Sequence, residues 1–84
     1  MSYSIDIQRS ARKSLAGISQ PHRTRIIERI RQLADNPRPP SCKKLIGRDA
    51  WRIRIGSYRV LYEIHDDRLV ILVVSIGHRR EIYR

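Results

Sequence analysis

Acidic residues are scarce in this chain: 8 Asp and Glu stand against 18 Lys and Arg, a formal charge of +10 over 84 residues. A compact domain with that excess repels itself, which argues against a neutral partner and for a polyanion or an acidic protein. Cysteine is scarcer still. The single Cys42, in PPSCKK, excludes an internal disulfide, and no Cys and His set stands at zinc spacing, so no metal or other cofactor is expected. Long apolar runs are missing as well. Leu69 to Val74 is far too short to cross a bilayer, and MSYSIDIQRS holds no apolar core of signal-peptide length. A soluble protein of the reducing cytoplasm is expected. With no repeat and no low-complexity tract, residues 1–84 are expected to form one domain with a modest core.

What the sequence has in abundance is arginine, 15 of the 18 basic residues. A guanidinium fork fits phosphate and stacks on bases, whereas lysine is a point charge. Nucleic acid is therefore the leading partner class.

Tyr3, Ile5 and Ile7 alternate with Ser4 and Asp6, the period of a half-buried strand. From Ser10 the period changes: Ala11, Leu15 and Ile18 recur at helical spacing, away from Arg9, Arg12 and Lys13. Pro21 suits the start of a second helix, whose apolar stripe is Ile26, Ile27, Ile30, Leu33 and Ala34, with Arg23, Arg25, Arg29 and Arg31 on the opposite face. Asn36 and Pro37 end it. The stretch NPRPPSCKK reads as an irregular loop, because its prolines forbid both a helix and a ladder. AWRIRI, YRVLYEIH and RLVILVVSI follow as three strands. The order β-α-α-β-β-β predicts an α+β fold, a helical hairpin covering one face of a mainly antiparallel four-stranded sheet.

Gly56-Ser57 suits a two-residue hairpin turn, which sets Ile55 against Tyr58, Arg54 against Arg59, Ile53 against Val60 and Trp51 against Tyr62. Trp51, Ile53, Ile55, Tyr58, Val60, Tyr62 and Ile64 then face the helices, and Arg52, Arg54 and Arg59 project from the open face. Two arginines opposed across a ladder repel each other, an arrangement that an anion between them relieves. The last strand is apolar on both sides, so its phase depends on the turn at Asp66-Asp67. A three-residue turn taking in Arg68 places Ser75, Gly77 and Arg79 on the open face. Arg52, Arg54, Arg59 and Arg79, with Tyr83 beyond, then resemble a phosphate-binding site.

The elements WRIRI, YRVLYEI and VVSIGHRREIYR behind a helical hairpin resemble the RelE/ParE toxin superfamily, and SIGHRREIY resembles its RelE branch. The resemblance implies a type II toxin neutralised by a RelB-like antitoxin in a hetero-oligomeric complex. It further implies a ribosome-dependent endoribonuclease that cleaves mRNA in the ribosomal A site of the small subunit by 2′-OH attack. Carried over residue by residue, the catalytic set is Arg52, Arg54, Arg59, Arg79 and Tyr83, the tyrosine acting as base. Arg23, Arg25, Arg29, Lys43, Lys44, His78 and Arg80 are candidate contacts to RNA or the ribosome, and His78 is a second candidate acid or base. Two departures stand out: the second-strand bases are arginine where relatives often carry lysine, and no C-terminal helix follows Tyr83.

The alternative within the superfamily is a ParE-like protein that poisons DNA gyrase by binding and cuts nothing. A plain RNA-binding module would show exposed stacking aromatics, whereas Trp51, Tyr58 and Tyr62 fall on the helix-facing side.

Overall fold

In the computed structural model, which describes residues 2–78, the alternation at the start becomes β1 (Ser4–Ile7), with Ile5 and Ile7 packed against the core and Ser4 and Asp6 exposed. Helix α1 (Arg9–Ala16) buries Ala11 and Leu15, and Ile18 follows them into the core just past its end. Helix α2 (His22–Gln32) starts directly after Pro21 and buries Ile26 and Ile30, and Leu33 continues the stripe through its last turn. At its start the Gln20 side-chain oxygen accepts from the backbone N–H of Thr24 at 3.1 Å, satisfying one of the donors a helix leaves open at its first turn.

Four strands follow: β2 (Lys43–Lys44), β3 (Trp51–Ile55), β4 (Tyr58–His65) and β5 (Val70–His78). They form one sheet with β1 in the order β1-β5-β4-β3-β2, in which β1 runs parallel to β5 and every other pair is antiparallel. The sheet thus has five strands where four were expected. The added one lies at the end of the supposed loop, because the last proline is Pro40 and the backbones of Lys43 and Lys44 are able to pair with Arg52 and Trp51. Two lysines on a two-residue edge also discourage pairing with another chain.

The helical hairpin covers one side of this sheet, and the core lies between them. Ile26, Ile53, Val60, Tyr62, Ile71 and Val73 are all 0% exposed, and burying an aliphatic side chain of this kind contributes about 1.5–3 kcal/mol. Tyr62 keeps its hydroxyl satisfied by donating to the Pro37 carbonyl oxygen at 2.8 Å, which fastens the proline segment to the sheet. Burial raises its pKa well above the ordinary tyrosine value.

The β3–β4 hairpin has the expected register at every position, from Ile55 opposite Tyr58 to Trp51 opposite Tyr62. Gly56 sits at φ +59, the left-handed backbone that such a turn needs. The β4–β5 hairpin reaches the expected faces by another route. Its turn is Asp66–Leu69, four residues rather than three, with Leu69 at φ +53. Continued without a break, that register would set Ile76 against Arg59. A bulge intervenes: Tyr62 pairs with Val73 and Leu61 with Ser75, so Val74 is the extra residue and Arg59 faces Gly77. Asp66 also ties the turn to distant parts of the chain, accepting from the Tyr3 hydroxyl and from Arg38 Nη2, the latter at 2.9 Å.

Candidate functional site

Because strand side chains alternate, burying Ile53 and Ile55 under the helices sends Arg52 and Arg54 to the other side of the sheet. Arg59 joins them, directly opposite Arg54. Lys43, paired with Arg52, shares that face, so two strand pairs present four cationic residues on one side. Lys44 does not belong to this group. Its Nζ lies 5.9 Å from the Trp51 ring centroid, to which the guanidinium of Arg38 also comes within 5.3 Å, and bonds Asp49 at 3.3 Å.

The sheet face is less open than the alternation suggests. Arg54 is exposed, but Arg59 is 2% and Arg52 6% exposed. Gly77 stands opposite Arg59, and Leu61, two residues along on the same face, is 7% exposed. Each of the three arginines is held by interactions of its own. Burying a charge is costly unless it is well coordinated, and the reduced dielectric that imposes this cost also strengthens the attraction for an incoming anion. The resulting arrangement is a preorganised set of guanidinium forks, with Arg54 at the solvent boundary and Arg59 and Arg52 behind it. Such a set is able to grip a phosphate and stabilise negative charge that grows on it during a reaction. Arg79, Arg80 and Tyr83 lie outside the described residues.

The other sequence-predicted residues fall elsewhere. Arg23, Arg25 and Arg29 ride on α2, which packs on the opposite side of the sheet, so the fold does not bring them to the arginine face. Arg29 has a structural engagement, donating from Nη2 to Ser41 Oγ at 3.0 Å. His78 ends β5, exposed and opposite Tyr58, with the two rings edge to face at 5.6 Å. His22, the first residue of α2, meets the same tyrosine at 5.7 Å. Only the packing of the helix start against the strand end makes that contact, and sequence spacing carries no sign of it. Glu63 and His65, two residues apart on β4, bond each other at 3.0 Å.

Among the described residues no helix is long and apolar enough to cross a membrane.

Comparison with known proteins gives a consistent picture. A sequence profile described as "ParE toxin of type II toxin-antitoxin system, parDE" matches residues 5–83. The chain is 26% identical to the mRNA interferase toxin RelE of Escherichia coli K12, over 99% of its own length and 92% of the relative's. It is 30% identical to the putative toxin RelE1 of Methanocaldococcus jannaschii, over 100% of its length and 98% of that protein's. Among solved structures, the archaeal RelE–RelB complex from Pyrococcus horikoshii OT3 superposes with a TM-score of 0.85 at 29% identity, covering 96% of this chain and 99% of that one.

Proposed function

This chain belongs to the ParE toxin family of type II toxin–antitoxin systems and lies on its RelE-like branch, and from that premise we propose that it is a ribosome-dependent endoribonuclease acting on mRNA in the A site. The observation that carries the reading is the paired arginines Arg54 and Arg59, with Arg52 and Lys43 beside them on one sheet face.

The reaction suited to such a site needs no cofactor. The ribose 2′-OH attacks the adjacent phosphorus, the O2′–P bond forms, and the P–O5′ bond breaks. The products are a 2′,3′-cyclic phosphate and a 5′-OH. The proton lost from the 2′-OH goes to a base, assigned by resemblance to Tyr83, and the departing O5′ gains one with the help of Arg79. The phosphorane between these states carries extra negative charge on its oxygens, where the forks of Arg59, Arg52 and Arg54 stabilise it more than they stabilise the ground state. Arginine is a poor proton donor at neutral pH, so the sheet arginines serve by charge and orientation. In the cell the protein acts in the cytoplasm, held silent by a RelB-like antitoxin, as the neighbouring toxin–antitoxin complex suggests.

The test is primer extension on an mRNA incubated with the protein, with and without programmed ribosomes, beside Arg54→Ala and Arg59→Lys. Cleavage is expected only on ribosomes, within the A-site codon, and about a hundredfold slower in Arg54→Ala, the scale for losing one preorganised stabilising group. Arg59→Lys keeps the charge and loses the fork, and should be slowed as well. Intact mRNA in every lane sinks the nuclease reading and favours the gyrase-binding alternative.

A further inference from the structure

Between the end of α1 and the β4–β5 ladder lies a groove of about 380 Å³, lined by Lys13, Ser14, Gly17, Ile18, Tyr58, Ile76, Gly77 and His78. Its size is within the range of pockets that take a small organic group. The groove's aromatic wall is Tyr58, half-buried, with the exposed ring of His78 at 5.6 Å; His22, outside the lining, touches Tyr58 at 5.7 Å. Lys13 supplies a cation, and among the described residues no carboxylate lines the space.

We propose that this groove is a nucleobase-binding subsite, in which a base of the RNA packs on the Tyr58 and His78 rings while Lys13 meets the phosphate attached to it. The proposal deepens the RNA-directed reading and rests on it.

Three features favour a base over other occupants. Imidazole and phenol rings present π faces and edges on which any base stacks, whereas an apolar peptide face would call for aliphatic lining, and only Ile18 and Ile76 supply it here. The cation without a carboxylate matches a phosphodiester and not an acid-free hydrophobic segment. The position also fits: Tyr58 and His78 form one rung of the ladder, and the next rung is Arg59 and Gly77. Adjacent rungs project their side chains to opposite sides of the sheet, so a chain with a phosphate at the arginine face reaches the groove by passing around the sheet end, one rung beyond Arg59 and Gly77. The subsite would hold a nucleotide neighbouring the scissile one and set which phosphate meets the arginines.

The experiment is a titration of the purified protein with each nucleoside 5′-monophosphate, followed by the imidazole and phenol ring resonances in NMR. Inorganic phosphate and ribose 5-phosphate serve as comparison ligands. Upfield shifts at Tyr58 and His78 are expected with the nucleotides and not with the base-free phosphates. Affinity should fall about tenfold in His78→Ala, near the low end of the loss of one base–aromatic contact. The exposed position of His78 leaves the fold intact, and thermal unfolding of the variant verifies it. Shifts produced equally by phosphate alone would reduce the groove to a lysine anion site and overturn the proposal. So would nucleotide binding unchanged in His78→Ala, or rings that respond only to an antitoxin peptide, which would assign the groove to the protein partner. Because no ribosome is present, base binding here can succeed where mRNA cleavage fails, and the reverse, so the two readings fall separately.

Discussion

Gly56 holds a left-handed φ of +59, and a Cβ built on it would meet nothing within 4 Å. The cost of Gly56→Ala is therefore the backbone term alone, roughly 1–2 kcal/mol. Thermal unfolding should show a midpoint lower by several degrees, since each kcal/mol moves a domain of this size by about 4–8 °C. An unchanged midpoint would mean that the hairpin accepts another turn geometry. Leu69 occupies the same region at φ +53 with a side chain attached, which shows how little of this demand a sequence has to disclose. Gly56-Ser57 identified its turn because glycine is the usual solution there. Asp66–Leu69 concealed its length, because no residue in it marks the left-handed position. Arginine burial was equally hidden. Alternation gives the side of the sheet on which Arg52 and Arg59 lie, but not their exposures of 6% and 2%, which are set in three dimensions.

At the level of elements, the helical hairpin was legible throughout, since 3.6-residue periodicity in α2 has enough length to be unambiguous. Ile30, 3% exposed within that stripe, is a suitable probe of how far the sheet depends on its cover. Ile30→Ala should destabilise by about 2–5 kcal/mol, combining lost transfer energy with an unfilled cavity. For a small domain with total stability of about 5–15 kcal/mol, that is a large share. Chemical denaturation should register it as a lower midpoint at unchanged slope. A loss under 1 kcal/mol would mean that the helix readjusts over the sheet. Strand β2 illustrates the opposite limit. Lys43 and Lys44 are too few to alternate, so the pairing that puts Lys43 beside Arg52 exists only in three dimensions. Strand β5 fails for a third reason: a strand apolar on both sides carries no phase, and its bulge leaves no compositional mark.

Across the whole molecule, the charge of +10 leaves few acids to anchor distant segments, and Asp66 is one that does. Hydrogen bonding from Arg38, and then from Tyr3, holds its carboxyl below the ordinary range. A depressed carboxylate contributes stability above its unfolded pKa, near 4, and that contribution is lost as pH falls through the folded value. Tyr3 is shifted the other way, upward, chiefly by its bond to Asp66. Its contribution is present below about pH 10 and lost as pH rises through its folded value. Thermal midpoints of the protein and Asp66→Asn should therefore differ at pH 7 and converge as pH approaches 2. A gap constant with pH would attribute the difference to shape and not charge.

The bulge at Val74 has a consequence best stated in genetic terms. Loss of that one codon would leave the reading frame of the message intact and the sheet in frame as well: with the extra residue gone, Ser75 follows Val73 directly and still stands opposite Leu61. Gly77, which has no side chain to set against the arginine, would remain opposite Arg59, and Ile76 would remain opposite Val60. An in-frame deletion of this single aliphatic residue would thus straighten the ladder while leaving the sheet arginines opposite their present partners.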